Sequence, residues 1–210
     1  MFDFLFTQGF LWGFLATVRL WAIACVISLA IGVVWGALTC SRLRIPVVSR
    51  LIEIIILGFQ GVPFFVQMLI SYFVIPDLLG INPSAFVTGV VNLGLCSGAY
   101  MAEIVRSGIG AVPAGQWETC KVLGYSNARA FIYVIAPQAL FRMMPAMVNE
   151  FNAILKSTSM LSAIGVAEMT LAGKNVIARS FNPGIVYLAL AVIYLCMTPV
   201  LSSTSRIIEN

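Results

Sequence analysis

Histidine is absent from this chain of 210 residues. That removes His-dependent catalytic triads, His proton shuttles and His-ligated metal centres together. Charge is scarce: 10% of the residues are Asp, Glu, Lys or Arg, against about 25% in ordinary soluble domains. The net charge of +4 is small and scattered, so no nucleic-acid-binding surface is expected. No pair of the five cysteines (Cys25, Cys40, Cys96, Cys120, Cys196) has C-x-x-C spacing, and most lie in apolar runs as small buried hydrophobes. No G-x-x-x-x-G-K-[ST] loop occurs, so the chain cannot cradle a nucleotide in that way. The first nine residues carry Asp3 and no Lys or Arg, which speaks against a cleaved signal peptide. What is abundant is apolar: 60% of the residues, with a mean hydropathy of +1.00. A soluble domain of this length cannot bury that much apolar surface. A soluble enzyme and a disordered chain are excluded, and an integral membrane protein is indicated.

A bilayer core about 30 Å thick needs roughly 20 apolar residues per helical span. Leu20–Ser41, Ile54–Pro76, Leu78–Ala102 and Ser180–Ser205 are free of charge over such a length. A fifth span is expected within Pro137–Ser159. It carries Arg142, Glu150 and Lys156, and the i, i+3, i+7 spacing of Asn149, Asn152 and Lys156 predicts one polar face. Such a helix spans if that face looks into a bundle or a wet cavity. The expectation is an all-α membrane protein with five spans, or six if Phe4–Val18 crosses on its own. Arg42, Arg44, Arg50, Arg106, Lys121, Arg129, Arg142 and Arg206 fall in one set of alternating segments; Arg19, Lys156, Lys174 and Arg179 fall in the other. The richer set belongs in the cytoplasm, which puts the N-terminus outside and the C-terminus inside. Gly32-x-x-x-Gly36 and Gly94-x-x-x-Gly98 are read as close helix packing.

The segment from Glu103 to Pro137 is too polar for membrane and too long for a tight turn. Gly115 to Gly124 makes about two helical turns, with Trp117, Cys120 and Leu123 on one side and Glu118 and Lys121 on another. Gly124 stands where a left-handed C-cap is needed, and Ser126 is an N-cap for the next helix. Physics alone leaves two readings open: a helix lying flat on the bilayer, or one offered to a cytoplasmic partner.

These residues carry a resemblance. Glu118-Thr119-Cys120, Gly124, Val134, Ala136 and Pro137 have the spacing of the cytoplasmic motif in transmembrane subunits of ABC importers. Gly98–Glu103 with Arg106 and Gly108-Ile109 upstream, and Gly115-Gln116, fit the polar amino-acid permease branch. Phe59-Gln60-Gly61-Val62-Pro63-Phe64-Phe65-Val66-Gln67 resembles that family's second-span segment, with Pro near its middle. Lys156-Ser157-Thr158-Ser159-Met160, followed by Ile164–Thr170, resembles its fourth-span exit. The resemblance runs from about Thr17 to Arg206. Thr119 and Cys120 stand where the family usually has alanines, Gln60 where it has Arg, and Ser157 where it has Asp.

The resemblance implies a single type I importer permease domain over residues 1–210, multi-pass in a bacterial inner membrane, with a coupling loop at about 103–137. It implies uptake of a polar amino acid (His, Glu, Gln, Arg or an opine), no catalysis by this chain and no cofactor or metal. The implied partners are a cytoplasmic ABC ATPase dimer, a second permease chain (identical or sibling), an extracytoplasmic substrate-binding protein and the lipid bilayer. Gly115, Gln116, Glu118, Thr119, Cys120, Gly124 and Pro137 would form the ATPase coupling site. Gln60, Gly61, Pro63, Phe64, Gln67, Lys156, Ser157, Thr158 and Ser159 would line the substrate pathway. The residues leave room for blander roles: Lys156 snorkelling to the interface, Glu103 pairing with Arg106 across one turn, and the phenylalanines facing lipid or core. Lys156, Thr158 and Ser159 are donors for a substrate carboxylate, and backbone carbonyls around Gly61–Pro63 are acceptors for its ammonium. The competing classes are a stand-alone secondary transporter or channel, and a non-transporting membrane scaffold.

Overall fold

The computed structural model describes the backbone of residues 2–209 and the side chains of residues 9–199, and among these it holds helices and no strand. Helix α1 runs unbroken over Phe2–Thr39, so Phe4–Val18 is not a separate span. It meets α2 (Pro46–Gly61) through a short turn. Ser49, wholly buried, holds that turn: its Oγ donates to Leu38 O at 2.6 Å and accepts from Ile45 N at 3.1 Å.

The second span is broken. Helix α2 and the run Phe64–Leu79 meet at 102°. The cause is Pro63, which has no N–H and forces its predecessor out of the helical region: Val62 sits at φ −111°, ψ 134°. Gly61 has open space around it and no positive φ, so it permits the break without causing it. Beyond Pro63 come α3 (Phe64–Leu69), a π turn (Ile70–Val74) and α4 (Ile75–Leu79). The π turn directly precedes Pro76, whose ring and missing N–H disrupt the α pattern, and Ile75 N bonds to Ile70 O instead. Gly80, at φ 64°, ends α4. The third span therefore does not begin at Leu78. Helix α5 runs from Ala85 to Gly110, with Ser84 as N-cap accepting from Val87 N at 3.3 Å. It continues past Ala102 because Glu103 and Arg106 pair across one turn.

Helix α6 (Ala114–Val122) follows, then a continuous run of α7 (Asn127–Ala130), a second π turn (Phe131–Ile135), α8 (Ala136–Ser157) and a 3₁₀ segment (Thr158–Ile164). Pro137 explains this second π turn as Pro76 explains the first: Ala136 N reaches Phe131 O. Helices α9 (Met169–Ser180) and α10 (Pro183–Glu209) complete the chain. Gly9–Thr39, Ala85–Gly110 and Asn127–Ile164 are long and apolar enough to cross a membrane, the bent α2–α4 pair is long and apolar enough for a fourth crossing if it is one span, and Pro183–Pro199 is a shorter apolar helix. Arg206, counted in the charge bias, lies outside the described side chains.

Helix α5 is the central post. Ala99, Met101 and Ala102 on it have no exposed surface. Helix α1 packs against it through both glycine pairs: a Cβ on Gly36 would stand 2.6 Å from Ala102 O, and one on Gly94 would stand 2.6 Å from Ile27 Cγ2. Small residues there permit close backbone approach, as the spacing predicts. Gly36→Val should destabilise the chain by about 1–3 kcal/mol through overpacking. Thermal unfolding in detergent will show this as a lowered midpoint; an unchanged midpoint would contradict the packing. Helix α8 is tied to α1 by Trp21 Nε1, which donates to Phe151 O at 2.9 Å. Helix α9 is tied down at its start. The buried Glu168 caps it, accepting from Leu171 N at 2.8 Å and Thr170 N at 2.9 Å, while Tyr194 Oη donates to it at 3.3 Å. Burial pushes the Glu168 carboxyl above the usual carboxylate range, and these donors pull it back.

Candidate functional site

The elbow between α5 and α7 is compact. Helix α5 carries Glu103 through to Gly110 and α7 starts at Asn127, so the part outside the long helices is 111–126, within the expected 103–137. Pro113 stands at the N-cap of α6. At the other end Gly124 has φ +79°, Tyr125 N bonds to Cys120 O at 2.9 Å and Gly124 N to Lys121 O at 3.0 Å, which is a Schellman cap. Ser126 Oγ then accepts from Arg129 N at 3.4 Å and starts the next helix. The two short turns fold α6 back under α5 and α8.

One face of α6 is rooted. Trp117 is 4% exposed and Cys120 is 2% exposed; both sit in a core cluster with Val105 and Ile109 of α5 and Ala139 of α8. Leu123, expected on that face, is 68% exposed, because the Schellman turn swings the chain away one residue after Val122. The other face is open: Gln116, Glu118, Thr119 and Lys121 are all exposed, and Glu118 has no ion-pair partner among the described residues. Thr119 Oγ1 donates to Gly115 O at 2.8 Å, and Arg142 Nη1 braces the elbow by donating to Ala111 O at 2.9 Å. Gly115 is exposed, and Pro137 acts at a distance by shaping the π turn above the elbow. Rigid attachment on one side and exposed polar groups on the other suit a lever.

The second group of residues surrounds the break at Pro63. Gln60 and Phe64 are half-buried, and Gly61 and Pro63 are exposed. Gln67 is turned into the protein. It is 9% exposed, and its Nε2 donates to Phe59 O at 2.7 Å and Val62 O at 2.6 Å. Val62 O is one of the carbonyls around Gly61–Pro63 that the sequence offers as substrate acceptors, and it is occupied. Pro63 O is also occupied, by the N–H groups of Val66 and Gln67. Thr158 is likewise removed from any open face: it is fully buried and donates to Leu155 O at 2.7 Å. Ser159 is half-buried and gives its proton to Lys156 O at 2.7 Å; Ser157 is half-buried. Lys156 is exposed.

Helix α8 shows an open stripe of Arg142, Ala146, Asn149, Ala153 and Lys156, apart from the exposed Leu140 and Phe141 nearer its start. Asn152, expected to share it, is buried at 6% exposure. The open faces of other spans are apolar, as with Val26, Val33 and Val34 on α1 and Leu188, Val192 and Leu195 on α10. A polar stripe such as that of α8 belongs against water or protein and not against hydrocarbon. Beside it lies Glu150, half-buried, with no basic partner among the described ion pairs and a hydrogen bond from Ser97 of α5. Cys96 neighbours both Glu150 and Gln67. The structure thus brings α8, α5 and the broken span together at one place, and Glu150 is the ionisable group there. The sequence reading noted it only as a charge in the fifth span; an acidic residue inside a predicted span was the available clue.

A family model for the binding-protein-dependent transport system inner membrane component matches residues 28–210. The chain belongs to that family. It is a transmembrane permease subunit of an ABC importer, and its fold is that of the type I importer permeases. Among curated relatives, this permease is 35% identical over 192 residues to the L-cystine transport system permease protein TcyL of Bacillus subtilis (strain 168), spanning 88% of this chain and 80% of the relative. It is 39% identical over 154 residues to the glutamine transport system permease protein GlnP of Escherichia coli (strain K12), spanning 72% of this permease and 69% of the relative. A crystal structure of an amino acid ABC transporter with histidines superposes with a TM-score of 0.88 at 33% identity, covering 97% of this permease and 94% of that chain. An inward-facing MetNI methionine ABC transporter shares the fold, with a TM-score of 0.80 at 16% identity over 96% of each chain.

Proposed function

We propose that this permease carries a polar amino acid through a bacterial inner membrane. An extracytoplasmic binding protein delivers it, and a separate cytoplasmic ABC ATPase dimer drives the step. Residues 1–210 act as one permease unit with the N-terminus outside and α6 inside. A second permease chain, identical or sibling, completes the pathway across the open face of α8. What carries the reading is α6: a short helix rooted by Trp117 and Cys120, with Glu118 and Lys121 turned outward. The chain has no nucleotide-binding loop of its own, so its energy comes from elsewhere. The relatives named for cystine and glutamine support an amino-acid substrate. Closing the ATPase dimer would push α6, and α6 would move α5 and α8 with it.

Around the pathway, Lys156 would hold the substrate carboxylate and Glu150 its ammonium. Gln60, Gly61, Pro63 and Phe64 would border the route at the break. Ser157 would contribute polarity where the family has a charge.

The test is co-purification with the cognate ATPase. Glu118→Lys should weaken ATPase capture and transport together. Gly124→Asp should do the same, because a Cβ at φ +79° costs about 1 kcal/mol or more and disturbs the cap. Both variants should still insert. Unchanged ATPase recovery with Gly124→Asp would contradict the role of the elbow. Uphill uptake by vesicles holding this chain alone would favour a stand-alone transporter instead.

A further inference from the structure

A broken span leaves carbonyl groups without their helical partners, and in a membrane interior each must be satisfied from within the protein. Here one side chain does this for two of them. Gln67 lies one turn past the break, on α3, and its Nε2 reaches back to Phe59 O at 2.7 Å and to Val62 O at 2.6 Å. Phe59 belongs to the last turn of α2 and Val62 is the joint itself. Both protons of one amide therefore bridge the two arms of a 102° bend. The amide is 9% exposed, and its Oε1 is buried with no hydrogen-bond partner. The donor end thus does the bridging while the acceptor end is left unused. Met68, beside it, has no exposed surface and packs with the core of α1 and α5, while Ile52 and Ile56 root α2 on Ala99 and Ala102 of α5, so each arm has its own anchor and the amide ties them at the joint. A second tie holds the far side: Asn92 Nδ2 of α5 donates to Ser71 Oγ in the π turn at 2.8 Å.

We propose that Gln67 is a positioning residue, a clasp whose amide fixes the angle between α2 and α3 and so sets where Gly61–Phe65 stand along the transport route. It touches no substrate. A tie made by one amide is one that a few hydrogen bonds' worth of free energy can open and close. The placement of the clasp is independent of which solute is carried. Its effect on uptake rests on the reading that the break borders the pathway.

Two variants separate clasp from filler. Gln67→Met keeps the volume and removes both donors. Gln67→Glu keeps the shape, gives no donor when ionised and one when protonated. In the importer assembled with its ATPase, spin labels on Ile54→Cys and Phe73→Cys, both on open faces, should give one narrow distance in the parent. Gln67→Met should broaden it and lower amino-acid uptake at least tenfold, with ATP hydrolysis within about twofold of the parent. Gln67→Glu should regain uptake and the narrow distance as the pH is lowered, and Gln67→Met should not. A narrow distance in Gln67→Met, or full uptake by it, overturns the clasp. If the distance broadens and the pH-dependent recovery appears in the label measurement while no amino acid is carried by the parent, the clasp stands and the substrate reading falls.

Discussion

Replacing Trp117 by alanine is expected to separate ATP hydrolysis from transport. The indole is 4% exposed and forms the root of α6 in a cluster that also contains Ile109 and Ala139. Removing it leaves a cavity worth about 3–5 kcal/mol. That loss falls on one nine-residue helix held otherwise by Cys120, two capped turns and the Arg142 brace. The long helices keep their own packing, so the variant should insert and assemble. If the ATPase drives α6, as proposed, the helix would then swivel without moving α5 and α8. Proteoliposomes should show hydrolysis near the parental rate and uptake reduced by tenfold or more. Parallel loss of both would mean that Trp117 serves assembly and not force transfer.

The second large effect is expected at Glu150. Glu150→Gln keeps the size and a bond to Ser97 but removes the charge. A hydrogen bond to a charged group contributes about 1.5–3 kcal/mol, which corresponds to roughly 10- to 100-fold in affinity. The half-saturating concentration for uptake of an amino acid should rise by that factor, with the maximal rate less affected, and Glu150→Asp should fall between. Fluorescence-monitored insertion and ATPase recovery should match the parent. An unchanged half-saturating concentration in Glu150→Gln would remove Glu150 from the route.

Much of this architecture was legible from residues. Pro63 announces a disruption because it removes an N–H and pushes its predecessor out of the helical region; a sharp break is one outcome, since Pro76 and Pro137 give π turns and Pro145 lies inside α8. Gly124 and Ser126 announce the elbow because caps are local chemistry. The start of the third span was not legible in the charge pattern. Leu78–Ala102 is free of charge, and a count of uncharged residues passes over the turn signal Gly80…Asn82-Pro83-Ser84, where Gly80 closes one helix and Ser84 opens the next. The partners of Gln67 were hidden for a different reason: an amide in a motif looks like a ligand until the carbonyls it covers are seen. The spacing puts Asn152 on the polar face of the fifth span, and the resemblance puts Thr158 on the substrate pathway; tertiary packing buries both. Glu150 was overlooked because the polar face was drawn through Asn149, Asn152 and Lys156, and the carboxylate lies just beside it.

The two π turns have a consequence for the numbering of faces. Each inserts one surplus residue into its helical stretch, so everything beyond it is rotated by about 100° relative to an unbroken α-helix. Pro76 and Pro137 thus act as phase shifters. Past Phe131–Ile135, the side of the helix that looked inward near Ala130 is out of step with the side that looks inward along α8. One sequence stripe therefore cannot serve both the elbow and the membrane interior, and the two ends of this helical run are free to present unrelated chemistry.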